Sequence, residues 1–310
     1  MSTDLHAAAA AADATSPGDV VYLNGRLVPS AEASVSVFDH GLLYGDGVFD
    51  TMFATYGYVF RLRDHLARFR RSLRAARLEI GLDQEALEQA VLRTVAANRR
   101  SEAYIKVVAT RGVSAEPLLD PRGCVPTLII FARPYLSLAG AGRKASGLSA
   151  VLTSIRRIGL DALDPRIKSL NYLNLVMAKL EAIGAGADEA LLLDADGLVC
   201  EAPGYNVFAV RDGRVLTPAR SILEGITRQT VLELCGELDI DSREQDLAPY
   251  DLLTADEVFL TSTAAGLVPV VRVDGAPIGD GHPGSVYARL DAAYDALQRS
   301  GRSGTPIPVA

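Results

Sequence analysis

The chain has no tryptophan and only three cysteines, and among its 31 basic residues lysine stands at just four positions, 106, 144, 168 and 179. Each scarcity excludes something. Cys124, Cys200 and Cys235 are odd in number and widely spaced, with no CxxC or Cys/His grouping, so neither a disulfide framework nor a metal site is expected. Excess positive charge is also missing: the formal net charge of −7 argues against nucleic acid as a partner. No apolar run reaches the roughly 18 residues needed to span a bilayer. Residues 1–18 are alanine-rich but lack a basic start followed by an apolar core, so they read as a disordered tail rather than a signal peptide, and residues 301–310 read as a second tail. A cytoplasmic protein with reduced thiols and no membrane partner is expected.

What is present is material for a core. With 310 residues, 49% of them hydrophobic, the chain can form one large or two medium domains. Val20–Leu23, the Asn24-Gly25 turn and 26–28 read as a hairpin, and 48–55, Tyr56-Gly57 and 58–61 as another. A helix capped by Asp64 should bury Leu66, Phe69, Leu73 and Ala76, and a second, over about 84–98, should bury Leu87, Val91 and Val95. Strands at 103–111 and 125–133 complete a small α+β domain over 19–135. Glycines and proline at 134–147 break the pattern and mark an interdomain loop at 136–147. The large domain, 148–300, begins with a helix over about 169–183 that should bury Leu170, Leu173, Val176, Met177, Leu180 and Ile183. Strands at 190–193, 198–201, 205–210 and 214–216 follow, then a helix from Gly225 to about Leu238, a strand at 257–262 and a hairpin at Asp274-Gly275.

Lys168 stands out in a chain that otherwise carries its positive charge on arginine. A desolvated amine can become a neutral nucleophile, whereas a guanidinium cannot. Alone it would read as a solvated cation at a helix start. Its neighbours change that reading. The blocks Ile167-Lys168-Ser169-Leu170-Asn171-Tyr172-Leu173-Asn174, Glu201-Ala202-Pro203-Gly204-Tyr205-Asn206, Glu224-Gly225-Ile226-Thr227-Arg228 and Thr261-Ser262-Thr263-Ala264-Ala265, with Phe38–Phe49 and His65-Leu66-Ala67-Arg68, resemble the class IV aminotransferases in order across about residues 20–295. These are fold-type IV pyridoxal phosphate enzymes. The resemblance implies an α/β fold with a small α+β domain and a larger α/β domain carrying a barrel-like sheet.

It also implies a division of labour. Pyridoxal phosphate works as an electron sink, so the protein must supply an amine, an anion for the pyridine nitrogen and donors for the phosphate. By the resemblance, Lys168 is the covalent attachment point and the base, Glu201 the partner of the pyridine nitrogen, and Tyr172, one helical turn beyond Lys168, the donor to the cofactor phenolate. Gly225, Ile226 and Thr227 at a helix start, with Thr263 and Arg68, would hold the phosphate. Gly45 and Gly47 lack the lysine, hydroxyl pair and following helix of a P-loop, and read as turn residues. Tyr44, Phe49, Phe53, Tyr104, Lys106, Ala264 and Ala265 are the expected substrate pocket.

The resemblance leaves the donor open. Lys106 stands where branched-chain enzymes typically carry arginine, and Asp50 and Gly266 where they carry glutamate. The loop Val113-Ser114-Ala115-Glu116-Pro117 lacks the arginine and histidine of D-amino acid enzymes, while Pro203-Gly204-Tyr205 is closer to (R)-amine transaminases. The expectation is ping-pong transfer between a hydrophobic amino acid or (R)-amine and a 2-oxo acid, by a homodimer, since family members place loops of one subunit over the other's site. The alternatives are an aminodeoxychorismate lyase, a D-amino acid aminotransferase and a non-catalytic protein that binds the cofactor.

Overall fold

Two sheets, one from each half of the chain except that the last strand joins the first sheet, set the positions of everything else in the computed structural model, which describes residues 19–114, 116, 119–135 and 142–308. The first half runs β1 (Val20–Leu23), β2 (Arg26–Pro29), α1 (His40–Tyr44), β3 (Gly47–Thr55), β4 (Tyr58–Phe60), α2 (Leu62–Ala75), α3 (Gln84–Ala97), β5 (Ala103–Val113) and β6 (Val125–Pro134). After α4 (Arg143–Ser146) come β7 (Leu148–Arg156), α5 (Leu173–Gly184), β8 (Glu189–Leu193), β9 (Glu201–Ala202), β10 (Tyr205–Arg211) and β11 (Arg214–Pro218). The chain ends with α6 (Ile226–Glu237), β12 (Ser242–Gln245), α7 (Pro249–Leu253), β13 (Glu257–Ser262), β14 (Gly266–Val273), β15 (Ala276–Pro277), α8 (Ser285–Ser300) and β16 (Gly304–Pro306).

The first sheet is antiparallel throughout, in the order β16-β4-β3-β5-β6-β1-β2. Its tight turns form where left-handed backbone is needed: Asn24 and Gly25 have φ of 47° and 94°, Tyr56 and Gly57 φ of 52° and 81°. Helix α3 starts at Asp83, whose carboxylate accepts from Ala86 N–H at 2.8 Å. Its Leu87, Val91 and Val95, at i, i+4 and i+8, are fully buried with Leu66 and Phe69 of α2 and Met52, Ile105 and Ile130 of the sheet. Each such aliphatic side chain contributes about 1.5–3 kcal/mol, and Leu87→Ala would cost about 2–5 kcal/mol through the cavity it leaves.

The second sheet runs β12-β11-β10-β13-β14-β7-β8, with β9 on β10 and β15 on β14. Its inner strands close on themselves. Leu193 bridges to Val199 and Cys200 N–H donates to Leu192 O at 2.9 Å, so β8 returns to β9 and the path β9-β10-β13-β14-β7-β8 forms a ring, the barrel-like sheet expected. Closure satisfies the outer strands of that path that would otherwise be open edges. On one face Phe208 and Phe259 stack 4.9 Å apart beneath α6 and α8. Glu257 fixes the start of α8 by accepting from Val286 N–H at 2.9 Å and Tyr287 N–H at 2.7 Å.

Several elements differ from expectation. Asp64 does not cap its helix: α2 starts at Leu62, after Arg61 with φ 48°, and Asp64 instead accepts from Arg61 Nε at 2.5 Å. The helix expected at about 169–183 starts only at Leu173, because residues 168–170 are held against β3 in extended form. The face it buries is also different: Leu175, Ala178 and Ala182 pack on Ala190 and Leu192, while Leu173, Val176, Met177, Leu180 and Ile183 are exposed. Small residues let α5 lie close on β7 and β8 and leave its larger apolar stripe outward. Strands β7 and β12 were not expected. Nor is 301–310 a tail throughout, since Gly304–Pro306 pairs with β4. The tail expected at 1–18 and the first half of the expected interdomain loop, 136–141, lie outside the described residues, and α4 occupies most of the remainder.

Candidate active site

A cavity between the two sheets collects residues from both halves of the chain. Lys168 enters it from an extended segment laid against the start of β3. Phe49 N–H donates to Lys168 O and Leu170 N–H to Gly47 O, both at 2.9 Å. That approach requires glycine at 47, where a Cβ would lie 2.7 Å from both Ala109 O and Leu170 Cδ1. The Lys168 amine is then fixed twice: Nζ lies 3.2 Å from the Tyr172 hydroxyl and 4.6 Å from the centroid of the Phe49 ring. Tyr172 therefore meets Lys168 as expected, but from the residue preceding α5 and not from one helical turn on. Its ring stands edge-on to Phe49 at 5.2 Å.

Glu201, 5% exposed, sits at the start of β9. One carboxylate oxygen accepts from Arg157 Nε at 2.7 Å and the other from Leu223 N–H at 2.8 Å. Asn206, paired with Glu201 across β9 and β10, donates in turn to Leu223 O at 2.8 Å. Arg157 was missed at the level of sequence, being one of many arginines with no spacing to mark it. A charged partner accompanies the carboxylate into the interior, as buried carboxylates require.

The third cluster surrounds the N-terminus of α6. Gly225 precedes the helix with no side-chain cap, which leaves the first amides without a side-chain acceptor and aims the helix dipole at the cavity. Glycine is needed there because a Cβ would fall 1.9 Å from Asn206 Oδ1. Ile226, Thr227 and Thr263 line the same space, and beside them the Thr261 hydroxyl is buried with no hydrogen-bond partner among the described residues. Arg68 reaches in from α2. Its Nη1 donates to Glu224 O at 3.0 Å, and its Nε and Nη2 donate to Asp50 at 2.9 Å each.

The expected substrate pocket is only partly assembled. Phe49, Tyr104 and Ala264 line the cavity, with Thr51 and Tyr205, which had been given no role. Lys106, paired with Thr51 and on the same face of β5 as Tyr104, is not among the residues that line the cavity; its Nζ lies 4.3 Å from the Phe49 ring centroid. Burial, and then the charge of Lys168, hold its pKa below the ordinary lysine value. Phe53 and Ala265 border a separate cavity on the far side of the 263–265 turn. The division is physical: Phe53 packs on Phe60 and Tyr135, and Tyr135 donates to Ala264 O at 3.0 Å. Tyr44 is exposed on α1, packed edge-on to His40 at 4.9 Å, and takes no part in the cavity of a single chain.

An amine, a fixed carboxylate, a helix N-terminus with neighbouring hydroxyls and a guanidinium thus surround one space. This donor set fits a group with an aldehyde, a protonated ring nitrogen and a phosphate, and the Thr261 hydroxyl, buried and without a partner among the described residues, is a further donor facing that space.

Similarity to known proteins agrees. The model of the amino-transferase class IV family matches residues 47–273. A Methanocaldococcus jannaschii protein, provisionally named a branched-chain-amino-acid aminotransferase, is 45% identical over 281 residues, covering 90% of this chain and 96% of its own. The crystal structure of the Escherichia coli branched-chain amino acid aminotransferase matches with a TM-score of 0.91 at 31% identity, over 94% of this chain and 100% of that one. The branched-chain aminotransferase of the archaeon Thermoproteus uzoniensis, crystallised with norvaline, matches with a TM-score of 0.86 at 36% identity, over 93% and 99%. The chain belongs to the class IV aminotransferases and has the fold-type IV architecture. It is a transaminase.

Proposed function

We propose that this transaminase uses pyridoxal phosphate to move an amino group between a hydrophobic, branched-chain-type amino acid and a 2-oxo acid, by a ping-pong route. The observation that carries the reading is the Lys168 amine, held 3.2 Å from the Tyr172 hydroxyl in the cavity that also contains the Glu201–Arg157 pair and the start of α6. When bound, the cofactor supplies an electron sink for the bond broken at the substrate carbon. The chain does the rest. Lys168 is the covalent attachment point and, once free, the base that takes and returns the substrate's proton. Tyr172 orients that amine and would donate to the cofactor's ring oxygen. Glu201, kept in place by Arg157 and Leu223 N–H, supplies the negative charge that favours a protonated ring nitrogen. The first amides of α6, the Thr227 and Thr263 hydroxyls and Arg68 hold the phosphate.

The apolar rings of Phe49 and Tyr104 favour a hydrophobic donor, and the similar proteins named for branched-chain substrates support the same class. A homodimer in the cytoplasm completes the proposal: the outward stripe of α5, with Leu173 73% and Leu180 53% exposed, and Val37, Phe38 and Leu42 near α1 are large apolar side chains that a second copy would cover. In that assembly Tyr44 is free to serve the partner's cavity. The deciding experiment is borohydride reduction of the cofactor-loaded protein, followed by peptide mass mapping and a half-reaction panel of L-leucine, both alanine enantiomers and (R)-1-phenylethylamine. A label on Lys168 and conversion by L-leucine are expected. A label elsewhere ends the reading, and response to the amine or D-alanine alone replaces the donor class.

A further inference from the structure

Asp50, His65 and Arg68 are 0%, 1% and 4% exposed and, among the described residues, bonded only to one another and to backbone, a cluster of ionisable groups set against the hydrophobic core of the first half. Only Arg68 of the three reaches the cavity. Asp50 lies on β3 between Phe49 and Thr51, so the alternation of the strand turns it away from the cavity wall and towards α2. There one oxygen accepts from Arg68 Nη2 at 2.9 Å, His65 Nδ1 at 2.8 Å and Thr51 N–H at 2.8 Å, and the other accepts from Arg68 Nε at 2.9 Å.

We infer that Asp50 is a positioning residue: it grips one edge of the Arg68 guanidinium so that the opposite edge is presented, without rearrangement, to the phosphate of the cofactor. Donor counting supports this. Of the five N–H groups of Arg68, two go to Asp50 and one to Glu224 O. His65 Nδ1 must carry its proton to meet a carboxylate, so it cannot accept from Nη2, which lies 3.5 Å away. Two N–H groups therefore remain, one on each terminal nitrogen, and that of Nη2 lies on the terminal edge of the guanidinium, away from Asp50. A carboxylate gripping the Nε edge and an anion taken by the other is the geometry in which arginine is most selective. The charges agree with it. Burial opposes ionisation of Asp50, but the Arg68 charge and the bonds from His65 and Arg68 outweigh it, and the carboxyl lies well below its usual range. Burial, the largest influence on His65, pushes that imidazole below its ordinary value and keeps it a neutral donor. A neutral His65 leaves Asp50 paired with the charge of Arg68 alone.

The inference rests on the phosphate reading of the Arg68 site, and one titration separates the two. Apoprotein is titrated with pyridoxal phosphate and with pyridoxal, which lacks the phosphate, following the protein's fluorescence and the cofactor's absorbance. Wild type should prefer the phosphorylated form strongly; equal affinity would refute the phosphate site itself. In Asp50→Asn that preference should fall by about tenfold to a hundredfold while pyridoxal affinity is unchanged, the loss expected for a charge-assisted bond. Retained preference, or equal loss for both forms, overturns the role of Asp50 and leaves the phosphate site standing. Asp50→Asn buries the Arg68 charge without a counter-charge and can fail to fold, so a second measurement uses wild type alone. Crystals of the apoprotein, with and without soaked inorganic phosphate, should show Arg68 in one position with both bonds to Asp50 kept; a guanidinium that leaves Asp50 to reach phosphate overturns the proposal.

Discussion

The two walls of the cavity are built on opposite principles. On the wall from the second half of the chain, three of the polar side chains are already fixed: Glu201 by Arg157 and Leu223, Asn206 by Leu223 O, and Lys168 by Tyr172. The wall from the first sheet offers mainly aromatic surface, the Phe49 ring with the amines of Lys106 and Lys168 4.3 and 4.6 Å from its centroid, and Tyr104 and Thr51 with it. Fixed donors suit a group that stays bound through every turnover, because their ordering cost is met during folding. A wall of aromatic surface suits two substrates that must alternate in one place. Arg68 is the exception on the first-half side: three bonds, two to Asp50 and one to Glu224 O, fix its guanidinium. Rigidity thus follows the task and not the sheet.

Breaking the fixed wall should give the largest effects. Lys168→Arg keeps the charge but removes the nucleophile and base, and turnover should fall by at least about 10³-fold; measurable transamination at near wild-type rate would refute the assignment. Gly225→Ala drives a methyl into Asn206 Oδ1, so cofactor affinity should drop about tenfold to a hundredfold, read by equilibrium titration of apoprotein. Arg157→Gln strips the charge partner from a carboxylate whose side chain is only 6% exposed. Breaking such a buried pair costs about 3–5 kcal/mol, visible as a lower midpoint in denaturant, whereas the same change at exposed Arg166 should be near neutral.

The same contrast explains what could be read from the sequence. The turns at Asn24-Gly25 and Tyr56-Gly57 and the buried stripe of α3 were legible because each follows from local rules, φ above zero or an apolar residue every fourth position. Lys168, Glu201 and the Gly225-Ile226-Thr227 start were legible through ordered blocks that resemble a family. Arg157 and Asp50 were not, since their partners lie 44 and 18 positions away and nothing local distinguishes them from other charged residues. Helix α5 failed for another reason. Its apolar residues run round most of the helix, and periodicity cannot say whether the leucine stripe or the alanine stripe meets the sheet. Likewise Phe53 and Ala265 lie beside cavity residues in sequence but across a packed turn in space.

That outward stripe of α5 gives the next prediction. Leu180→Glu places a charge where the wild type exposes 53% of a leucine. If a second copy covers the stripe, sedimentation should show monomers at concentrations where wild type is dimeric, with the protomer's own stability changed by less than about 0.5 kcal/mol. Unaltered mass in solution would remove α5 from the interface.

The smallest effect is expected at Lys106, and it tests whether the substrate wall carries an unbalanced charge. Burial and the neighbouring Lys168 lower its folded-state pKa below the ordinary 10.5, so the native chain binds this proton less readily than the unfolded chain does. Stability must therefore rise with pH from the folded-state value up to the unfolded one, and the cost of the charge is fully present at neutral pH. Lys106→Met removes that cost. The variant should melt slightly higher than wild type at neutral pH, and the gap should close in alkaline buffer as wild type sheds its proton. A gap that is constant with pH would mean the difference comes from packing alone. If the cation is retained for substrate, the same variant should show a raised KM for the dicarboxylate 2-oxoglutarate with little change for leucine, which places the cost of Lys106 on the wall that must recognise two different molecules.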